Sequence, residues 1–431
     1  MRSYRTYVEQ AEKFVTGIIE GEVDTWKKDA LALLDGQPSR ELRRAVDLTT
    51  LRQTGAFFTP RRMAQVAIDV RPFGDLNPKE LLAIDPACGA GDLLLRIAQN
   101  LEVKPTLSET LKLWGTQLIG FDQSSDFVRL TKLRLTLLAL HRGAIATHGR
   151  SPDLARIFPH IRIGNALAAA REIRRADLIV LNPPFFLTDA FANCKWASGR
   201  ITAAASFTEH ILLSARYGAR IIAILPEVLR TGTRYVKWRQ LIEKSAHLDS
   251  VRPLGLFDSA TDVHVFILVM TKTAAPSGGA VRWWTYKSKK STRRVGELFD
   301  VHVGAVVPHR DRKAGPIYRY IHARSVPSWG RVDRIKETRR FNGTTFSTPF
   351  VAVRRTSRPE DSFRAVGSLI AEPGEIAVEN HLIICKPKNG TLKSCYELLR
   401  VLKSKKTNAF LNGRIRCRHL TVSAIREIPL G

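Results

Sequence analysis

The sequence predicts an α/β fold in which a mainly parallel, doubly wound sheet carries helices on both faces. Between residues 81 and 271, short runs of β-branched and apolar residues alternate with amphipathic helical segments. Several of the runs end in Asp, Asn, Gly or Pro. This alternation is typical of doubly wound sheets, which bind ligands beyond the carboxyl ends of their strands.

The elements follow one another in a simple order. Residues 1–50 interleave apolar and charged side chains up to Gly36 and Pro38, which predicts a helical N-terminal segment. We then predict strands in "LLAIDPA", "QLIGFD", "IRIGNA", "ADLIVLNPP", "ARIIAILP" and "HVFILVMTK". Between them we predict helices in "SDFVRLTKLRLTLLALHR" and "FTEHILLSARYG". The stretch 272–280, rich in Pro, Gly, Ser and Ala, indicates a domain boundary.

Beyond that boundary the pattern is less regular. Strands are predicted in "VRWWTYK", "TPFVAVRR" and "GEIAVENHLIICKP", and a helix is predicted to begin at Thr391. The sequence therefore divides into a helical segment (1–50), a central α/β domain (51–272) and a C-terminal domain (281–431).

The positive charge is concentrated in the last third of the chain. The whole sequence has 68 Lys and Arg against 40 Asp and Glu, and residues 271–431 have 32 against 12, a net +20. A polyanion such as nucleic acid is the natural partner, because Lys and Arg laid on phosphates release counterions. The alternative is a basic surface that only keeps the protein dissolved.

Cysteine spacing and hydropathy exclude several classes of protein. The five cysteines are odd in number, widely spaced and without a C-x-x-C pair, which argues against a disulfide framework and a structural zinc site. No apolar run is long enough to cross a membrane, and the opening residues lack the apolar core of a signal peptide. We expect a cytoplasmic protein that requires no metal.

The first predicted strand runs into a glycine-rich loop, "IDPACGAGDLLL". Gly89 and Gly91 allow a tight turn and close approach to a ligand at the start of the next helix. The loop is not a dinucleotide fingerprint, since Leu94 stands at the third glycine position, and no Gly-Lys-Ser/Thr follows it. Asp85 at the strand end favours a cationic group over a pyrophosphate.

The second and third predicted strands also end in polar residues. Asp122 in "IGFDQ" can accept hydrogen bonds from two ribose hydroxyls, and Asn165 in "IGNA" can meet an adenine edge or simply form a turn. Together the three strand ends describe a nucleoside pocket with a carboxylate near a positive charge. S-adenosylmethionine matches this description better than NAD.

The fourth predicted strand ends in "NPPFF". Pro183 and Pro184 stop the sheet ladder and leave carbonyl oxygens without neighbouring donors. Asn182 adds a side-chain carbonyl and Phe185 adds a flat apolar face, so the cluster suits a planar ring with an amino group. The alternative is an ordinary strand end with proline punctuation and a core phenylalanine.

The motifs "TGAFFTP", "DPACGAGDLLL", "GFD", "GNAL", "NPPF" and "LFDSATDVHVFILVMTK" occur in an order that resembles the gamma class of DNA adenine N(6)-methyltransferases. These are class I S-adenosylmethionine-dependent enzymes of restriction-modification and related defence systems. The resemblance covers roughly residues 50–272. It implies a Rossmann-like methyltransferase domain followed by a mixed α+β target recognition domain, which is where the positive charge lies.

The resemblance also implies roles for single residues. It assigns cofactor contacts to Thr59, Pro60, Asp85, Ala87, Gly89, Gly91, Asp122 and Asn165. It assigns catalysis to Asn182, Pro183, Pro184 and Phe185. Phe185 would stack on the flipped target base, and Phe257 would cover the other face of the base or belong to the core. Asn165 stands where the family often has an acidic residue.

The implied cofactor is S-adenosylmethionine, and the implied partners are double-stranded DNA and, as a candidate, a separate restriction endonuclease. Two alternatives stay open at this point. The same Asn-Pro-Pro-aromatic motif serves methyltransferases that act on RNA or on protein glutamine. A subunit that keeps the fold and binds DNA without turnover is the second alternative.

Overall fold

The computed structural model describes residues 3–68, 76–147, 151–190, 194–258, 261–275, 281–284 and 293–430. The chain divides into two compact units. The first consists of Met1–Leu229 and Arg234–Val281, and the second of Arg230–Thr233 and Arg282–Gly431. The N-terminal helices thus belong to the first unit, and the three domain ranges given above stay predictions.

Among the described residues, thirteen α-helices lie between residues 4 and 245. They are α1 (Tyr4–Glu20), α2 (Lys27–Leu34), α3 (Gln37–Ala45), α4 (Leu48–Thr54), α5 (Arg61–Ile68), α6 (Asp92–Ala98), α7 (Leu107–Gln117), α8 (Ser125–His141), α9 (Leu154–Ile157), α10 (Ala170–Arg175), α11 (Ala203–Ser214), α12 (Glu227–Thr231) and α13 (Val236–Ser245). Short 3₁₀ helices lie at Ala166–Ala168 and Thr233–Tyr235. The predicted helices correspond to α1–α4, α8 and α11.

Local sequence signals explain the ends of the main helices. The Ser3 side chain accepts a hydrogen bond from the backbone of Thr6 to begin α1, which ends at Gly21 in the left-handed conformation (φ 80°). Ser124 begins α8 in the same way, by accepting from the backbone N–H of Phe127. These caps satisfy backbone groups that a helix end leaves without partners.

The strands of the first unit are β1 (Ala83–Asp85), β2 (Leu118–Asp122), β3 (Ile161–Ile163), β4 (Leu178–Leu181), β5 (Leu187–Asp189), β6 (Arg200–Thr202), β7 (Arg220–Pro226), β8 (Ala246–Leu256) and β9 (His264–Lys272). Seven of them form one sheet in the order β3-β2-β1-β4-β7-β9-β8. Neighbours are parallel from β3 to β7, and β9 is antiparallel to both β7 and β8. The predicted doubly wound α/β fold is confirmed, with all six predicted strands of this unit present.

The sequence did not predict β8. This edge strand carries Asp249 and Pro253, and its pairing with β9 shifts register at Leu248/Ser250 and at Pro253/Gly255. Bulges disturb the alternation of buried and exposed side chains, and proline is tolerated where a strand lies at an edge or bulges. The β5–β6 hairpin, with strands of three residues each, was also not predicted.

The strand order reverses between β1 and β4, since the chain continues from β1 to β2 on one side while β4 lies on the other. Ligands of such sheets bind at this point, beyond the carboxyl ends of the strands. Asp85 is the last residue of β1, and Asn182 follows the last residue of β4. The topology therefore brings these two residues to the same edge of the sheet.

The second unit is a mixed α+β structure, as predicted. Its strands are β10 (Phe299–Val303), β11 (Ile317–Ile321), β12 (Arg331–Val332), β13 (Thr338–Arg340), β14 (Phe346–Ser347), β15 (Phe350–Arg354), β16 (Gly367–Ile370), β17 (Glu375–Val378) and β18 (Leu382–Pro387). Its helices are α14 (Val295–Leu298), α15 (Leu392–Leu402), α16 (Lys405–Arg414) and α17 (Val422–Arg426). The strands form two sheets, β10-β18-β15-β16-β12 and β13-β11-β17-β14.

Some of the strands and helices predicted for the second unit are present, and one predicted strand is wrong. The segments "TPFVAVRR" and "GEIAVENHLIICKP" contain β15, β17 and β18, and Thr391 caps α15. The strand predicted in "VRWWTYK" is wrong for residues 281–284, which are irregular, and its remaining part lies outside the described residues. In the described parts of the chain, no helix is long and apolar enough to cross a membrane.

Candidate active site

A cavity of about 670 Å³ in the first unit is lined by residues that follow β1, β2, β3 and β4. This volume lies in the range of small-molecule sites. Of the predicted site residues, the cavity wall includes Ala87, Gly89, Asp122, Asn165, Asn182 and Pro184. The structure therefore brings residues from four strand ends to one pocket, as expected for a parallel sheet of this topology.

The glycine-rich loop needs both of its predicted glycines. Gly89 has φ +52°, and a Cβ atom there would lie 3.0 Å from Phe58 Cδ1. Gly91 has φ +84°, and a Cβ atom there would lie 2.7 Å from Thr131 Cγ2. Left-handed φ values and such close neighbours favour glycine. Gly89 is part of the cavity wall, whereas Gly91 begins α6 behind it and shapes the loop.

Asp122 holds this loop in place. Its Oδ2 atom accepts a hydrogen bond from the backbone N–H of Gly89 at 3.0 Å, and its Oδ1 atom accepts from Ser124 N–H at 2.9 Å. Burial raises the pKa of the Asp122 carboxyl, and the two backbone donors oppose that rise. Each carboxylate oxygen has a second lone pair, so the side chain can still accept hydrogen bonds from a ligand.

Asp85 is a buried carboxyl at the end of β1, with 2% of its surface exposed. Its Oδ1 atom accepts a hydrogen bond from Ala87 N–H at 3.1 Å. Burial raises the pKa of Asp85 to about 8, and the nearby carboxylates of Asp122 and Asp92 also raise it. A positively charged ligand group would favour the ionised form of this side chain.

Of the two roles predicted for Asn165, a turn and a contact with an adenine edge, the structure shows the turn. Asn165 also lines the cavity. Its Oδ1 atom accepts a hydrogen bond from Leu167 N–H at 3.0 Å, and its backbone carbonyl accepts from Ala168 N–H. The amide oxygen is therefore engaged in the turn at the start of the 3₁₀ helix. Contact with an adenine edge could use the amide nitrogen or the second lone pair of Oδ1.

Asn182 connects the strand end to the "FFTP" loop. Its Nδ2 group donates to Phe57 O at 3.3 Å and to Thr59 Oγ1 at 3.1 Å. Its Oδ1 atom is buried and accepts no hydrogen bond from any residue that the structure describes. A buried acceptor without a donor is costly, so a ligand N–H group that reached this oxygen would be favoured.

The other two residues predicted to contact the cofactor, Thr59 and Pro60, form hydrogen bonds within the protein. Thr59 is buried, with its hydroxyl beside Asn182. Pro60 lies just before α5, and its carbonyl accepts from Met63 N–H and Ala64 N–H. Neither residue belongs to the cavity wall. Their contact with a cofactor stays a prediction.

Gly55 sets the distance between the "FFTP" loop and the proline pair. It ends α4 with φ +68°, and a Cβ atom there would lie 2.4 Å from Pro184 Cβ and 3.0 Å from Phe186 Cδ1. Only glycine permits this approach, because both the backbone conformation and the space exclude a side chain. Pro184 lines the cavity, and Pro183 is buried next to it.

Phe185 and Phe257 pack against each other, with ring centroids 5.5 Å apart and planes at 85°. Phe185 is half-buried, whereas Phe257 is 3% exposed and belongs to the core of the first unit. The structure favours the core alternative for Phe257. The edge-to-face contact lets Phe257 support the ring of Phe185.

Sequence reasoning missed several residues of the cavity wall. Five aromatic side chains line it (Phe57, Phe58, Phe127, Phe186 and Phe207), together with Leu42 of α3, Val46 just after α3, and Thr50 and Leu51 of α4. Phe57, Phe58 and Phe186 lie within quoted motifs and could have been singled out. The other residues lie outside the motifs, on or beside α3, α4, α8 and α11, so only the packing of these helices reveals them.

The charge of the cavity wall indicates which class of ligand it suits. The 23 described residues of its wall include Asp122 but no Lys, Arg or His, in a chain whose net charge is +28. Phosphate groups are usually bound by basic side chains, by helix N-termini or by both, and the described wall offers only the helix N-termini, at Ser124 and beside Gly89. The wall therefore suits a cationic or neutral nucleoside better than a dinucleotide. Among the described residues, no three His, Cys, Asp or Glu side chains are placed to hold a metal ion.

Comparisons with known proteins show what the chain is similar to. A family model described as N-6 DNA Methylase matches residues 47–297, which is more than half of the chain. The Type II methyltransferase M.BanIII of Aneurinibacillus aneurinilyticus is 21% identical over 231 residues, which are 50% of this chain and 38% of that protein.

Two solved structures are also similar. The type I restriction-modification system methyltransferase subunit from Streptococcus thermophilus is 16% identical, with a TM-score of 0.35, and the match covers 50% of this chain and 45% of that one. The Type IIL restriction-modification enzyme MmeI in complex with DNA is 11% identical, with a TM-score of 0.48 and coverage of 91% and 67%. The chain spans less than half the length of M.BanIII and of the Streptococcus subunit.

Proposed function

The chain belongs to the N-6 DNA methylase family, and on that premise we propose that it methylates adenine in double-stranded DNA as a modification enzyme of a restriction-modification or related defence system. The methyl donor is S-adenosylmethionine, and the acceptor is the exocyclic amino group of an adenine flipped out of the duplex. One observation carries the proposal: Asn182 has a buried Oδ1 atom that no described residue donates to, and it lines a cavity whose described wall has no basic side chain.

The cavity fits S-adenosylmethionine. Asp122 of the wall offers carboxylate lone pairs to ribose hydroxyls, and Asp85, which is buried next to the wall residue Pro86, would be ionised more readily beside a positive charge. Gly89 allows the ligand to approach the backbone, and the aromatic residues of the wall offer apolar faces to a purine. When bound, the cofactor supplies an activated methyl group on a sulfonium, so the protein need provide neither a metal nor a nucleophile.

The protein's contribution to catalysis is orientation and polarisation. The lone pair of an aromatic amino group is conjugated with its ring, and acceptors at Asn182 Oδ1 and the Pro183 carbonyl would draw the amino hydrogens out of the ring plane. Asn182 is fixed for this role by its two donor contacts to Phe57 and Thr59. Preorganised polar groups of this kind lower a barrier without rearranging during the reaction.

Access to the amino group requires base flipping, which costs a few kcal/mol. Stacking on an aromatic ring recovers about 1–3 kcal/mol per base. Phe185 offers that ring, and its contact with Phe257 holds the ring in one orientation. The basic C-terminal third, with net +20, supplies the affinity for phosphates.

Asn182→Ala tests the proposal directly. Loss of the acceptor should lower the rate of transfer of labelled methyl groups to DNA by about 10²–10³-fold, the usual effect of removing one preorganised polar contact. Because the Asn182 amide also holds the "FFTP" loop, cofactor affinity should fall as well, but by less than about tenfold, since a neutral hydrogen bond contributes about 1 kcal/mol. Full activity of this variant would refute the acceptor role.

Asn380→Ala is a matched control for that experiment. Asn380 has a buried Oδ1 atom that accepts no hydrogen bond from a described residue, and it lies in the second unit, outside the cavity wall. Its replacement should leave methyl transfer at saturating DNA unchanged.

Methyl groups that appeared on RNA or protein but never on DNA would favour the alternative substrates. Cofactor binding without any turnover would favour a non-catalytic subunit.

A further inference from the structure

We infer that Arg134 positions the glycine-rich loop of the cavity and couples it to the N-terminal helical segment. The identity of the ligand in this inference, S-adenosylmethionine, rests on the proposed function. Arg134 lies in the middle of α8, and its side chain is completely buried. A buried guanidinium is tolerated only when its donors are satisfied, so its partners indicate what it holds together.

Every nitrogen of the guanidinium is engaged. Nε donates to Leu33 O at 2.9 Å, and Nη2 donates to Leu34 O at 3.1 Å, at the C-terminal end of α2. Nη1 donates to Ala90 O, and Nη2 also forms an ion pair with Asp92 Oδ1 at 2.9 Å. One side chain therefore bridges the end of α2 and the loop that follows β1.

Thr131, one turn earlier in α8, holds the same loop. Its hydroxyl donates to Gly89 O at 2.9 Å, and its methyl group occupies the space beside Gly91. Thr131 and Arg134 thus donate to the carbonyls of two successive loop residues, Gly89 and Ala90. Because Gly89 lines the cavity, these contacts set the position of one part of its wall.

The N-terminal segment forms another part of the wall. The cavity wall includes Leu42, Val46 and Leu51, which lie 8 to 18 residues after the α2 carbonyls that Arg134 holds. Tyr4 of α1 packs against two further wall residues, Phe58 at 6.2 Å and Phe127 at 5.4 Å between ring centroids. Arg134 therefore connects two parts of the cavity that are distant in the chain.

Loss of this bridge should affect the cofactor more than the chemistry. The planar guanidinium donates in several fixed directions, which the ammonium of lysine cannot reproduce. Without it, the carbonyls of α2 and of the loop lose their donor, and Asp92 loses its partner. Arg134 makes no contact with Asn182 or Phe185, so the rate at saturating cofactor should be nearly unchanged. A rise in KM with kcat unchanged indicates the loss of an interaction that stabilises the ground state and the transition state equally.

The experiment uses the full chain with three substitutions, Arg134→Gln, Arg134→Lys and Thr131→Val. The matched control is Arg142→Gln. Arg142 lies just after α8 and, like Arg134, donates to backbone carbonyls, Ala98 O at 2.6 Å and Leu101 O at 2.7 Å, but it makes no contact with the loop. The measurements are calorimetric titration with S-adenosylmethionine, methyl transfer at saturating cofactor, and amide hydrogen exchange without ligand.

Arg134→Gln should weaken cofactor affinity by about tenfold, the scale of an ordinary coupling between two sites, and change kcat by less than about twofold. Arg134→Lys should lie between Arg134→Gln and the wild type, and Arg142→Gln should bind as the wild type does. Hydrogen exchange should accelerate in Arg134→Gln both at residues 89–95 and at the end of α2. Hydrogen exchange is measured without ligand, so it tests the coupling between α2 and the loop even if the wild type binds no S-adenosylmethionine. Failure of the wild type to bind S-adenosylmethionine would refute only the proposed function.

Wild-type affinity and unchanged exchange in a folded Arg134→Gln protein would overturn the inference. An equal loss of affinity in Arg142→Gln would also overturn it, because α8 would then act only as a general support. Should Arg134→Gln fail to fold, Arg134→Lys decides, since it keeps a positive charge but cannot donate in the fixed directions that join α2 to the loop. Wild-type affinity and unchanged exchange in Arg134→Lys would then overturn the inference. Wild-type affinity of Thr131→Val, which removes only the donor to Gly89 O, would assign the positioning of the loop to Arg134 alone.

Discussion

Replacing Gly55 with alanine should disrupt the active site by moving the "FFTP" loop away from the proline pair. The added Cβ atom would lie 2.4 Å from Pro184 Cβ, about 1 Å short of the 3.4–4 Å of ordinary contact. It would also lie 3.0 Å from the backbone Cα of Pro184, so no flexible side chain can yield. The loop or the strand end must therefore shift by about 1 Å. Displacements of this size near reacting groups can lower a rate by about 10²-fold.

The backbone conformation adds a smaller effect that a control can remove. A left-handed φ costs a non-glycine residue about 1–2 kcal/mol. Gly390 has φ +66°, close to the +68° of Gly55, and a Cβ atom there would meet nothing within 4 Å. Gly390→Ala should therefore show the conformational cost alone, and the difference between the two variants isolates the clash.

Urea denaturation measures the stability of both glycine variants, and transfer of labelled methyl groups to DNA measures their activity. Gly55→Ala should lose about 10²-fold in methyl transfer. Gly390→Ala should lose about 1–2 kcal/mol in the free energy of unfolding and keep its activity. Equal activity of the two proteins would refute the reasoning, because the approach of Gly55 to Pro184 would then have no bearing on the site.

Three further predictions follow from the same site and from the charge of the chain. Because burial raises the pKa of Asp85 to about 8, its carboxyl is mostly protonated at pH 7 in the free protein. A cationic cofactor lowers that pKa, so binding should release a proton near pH 7 but not well above pH 8. Calorimetry in buffers of different ionisation enthalpy detects this release, and Asp85→Asn should abolish it. Phe185→Ala should impair base flipping as well as turnover, because it removes a stacking surface that contributes about 1–3 kcal/mol, whereas Phe185→Trp should keep part of the activity. Fluorescence of a base analogue at the target position reports the flipping, and an unchanged signal in Phe185→Ala would exclude the stacking role. The affinity for DNA should fall steeply with salt, by about 10³–10⁵-fold between 50 and 200 mM if six to ten phosphates are contacted, and a salt-independent affinity would contradict the role given to residues 271–431.

Much of the candidate site could be predicted because the carboxyl ends of parallel strands meet at one edge of the sheet. Ala87, Gly89, Asp122 and Asn182 follow three different strands, yet all line one cavity. Their convergence needed no knowledge of side-chain packing, only the strand–helix alternation and the order of the motifs. Of the seven strands in the sheet of the first unit, β8 was missed, because two bulges and a proline interrupt its pattern.

Residue roles were harder to predict where one residue type serves two purposes. The sequence left open whether Phe257 stacks on a base or belongs to the core, and burial to 3% exposure favours the core. Asn165 was expected at an adenine edge or in a turn, and its hydrogen bond to Leu167 shows that it forms the turn while lining the cavity. Neither outcome is encoded in the short motifs, because burial depends on which segments pack on top of them.

The sequence by itself determined the fold class, the order of the motifs and the uneven distribution of positive charge, since periodicity, turn residues and composition act locally along the chain. Only the tertiary structure decided that Asn182 holds the "FFTP" loop, that Gly55 touches Pro184, and that the N-terminal helices line the cavity. The bridge formed by Arg134 joins carbonyls of Leu33 and Ala90, which lie 101 and 44 residues away from it in the chain. Contacts over such separations depend on how whole helices pack against the sheet, and a buried arginine in a helix carries no sequence signal that names its partners.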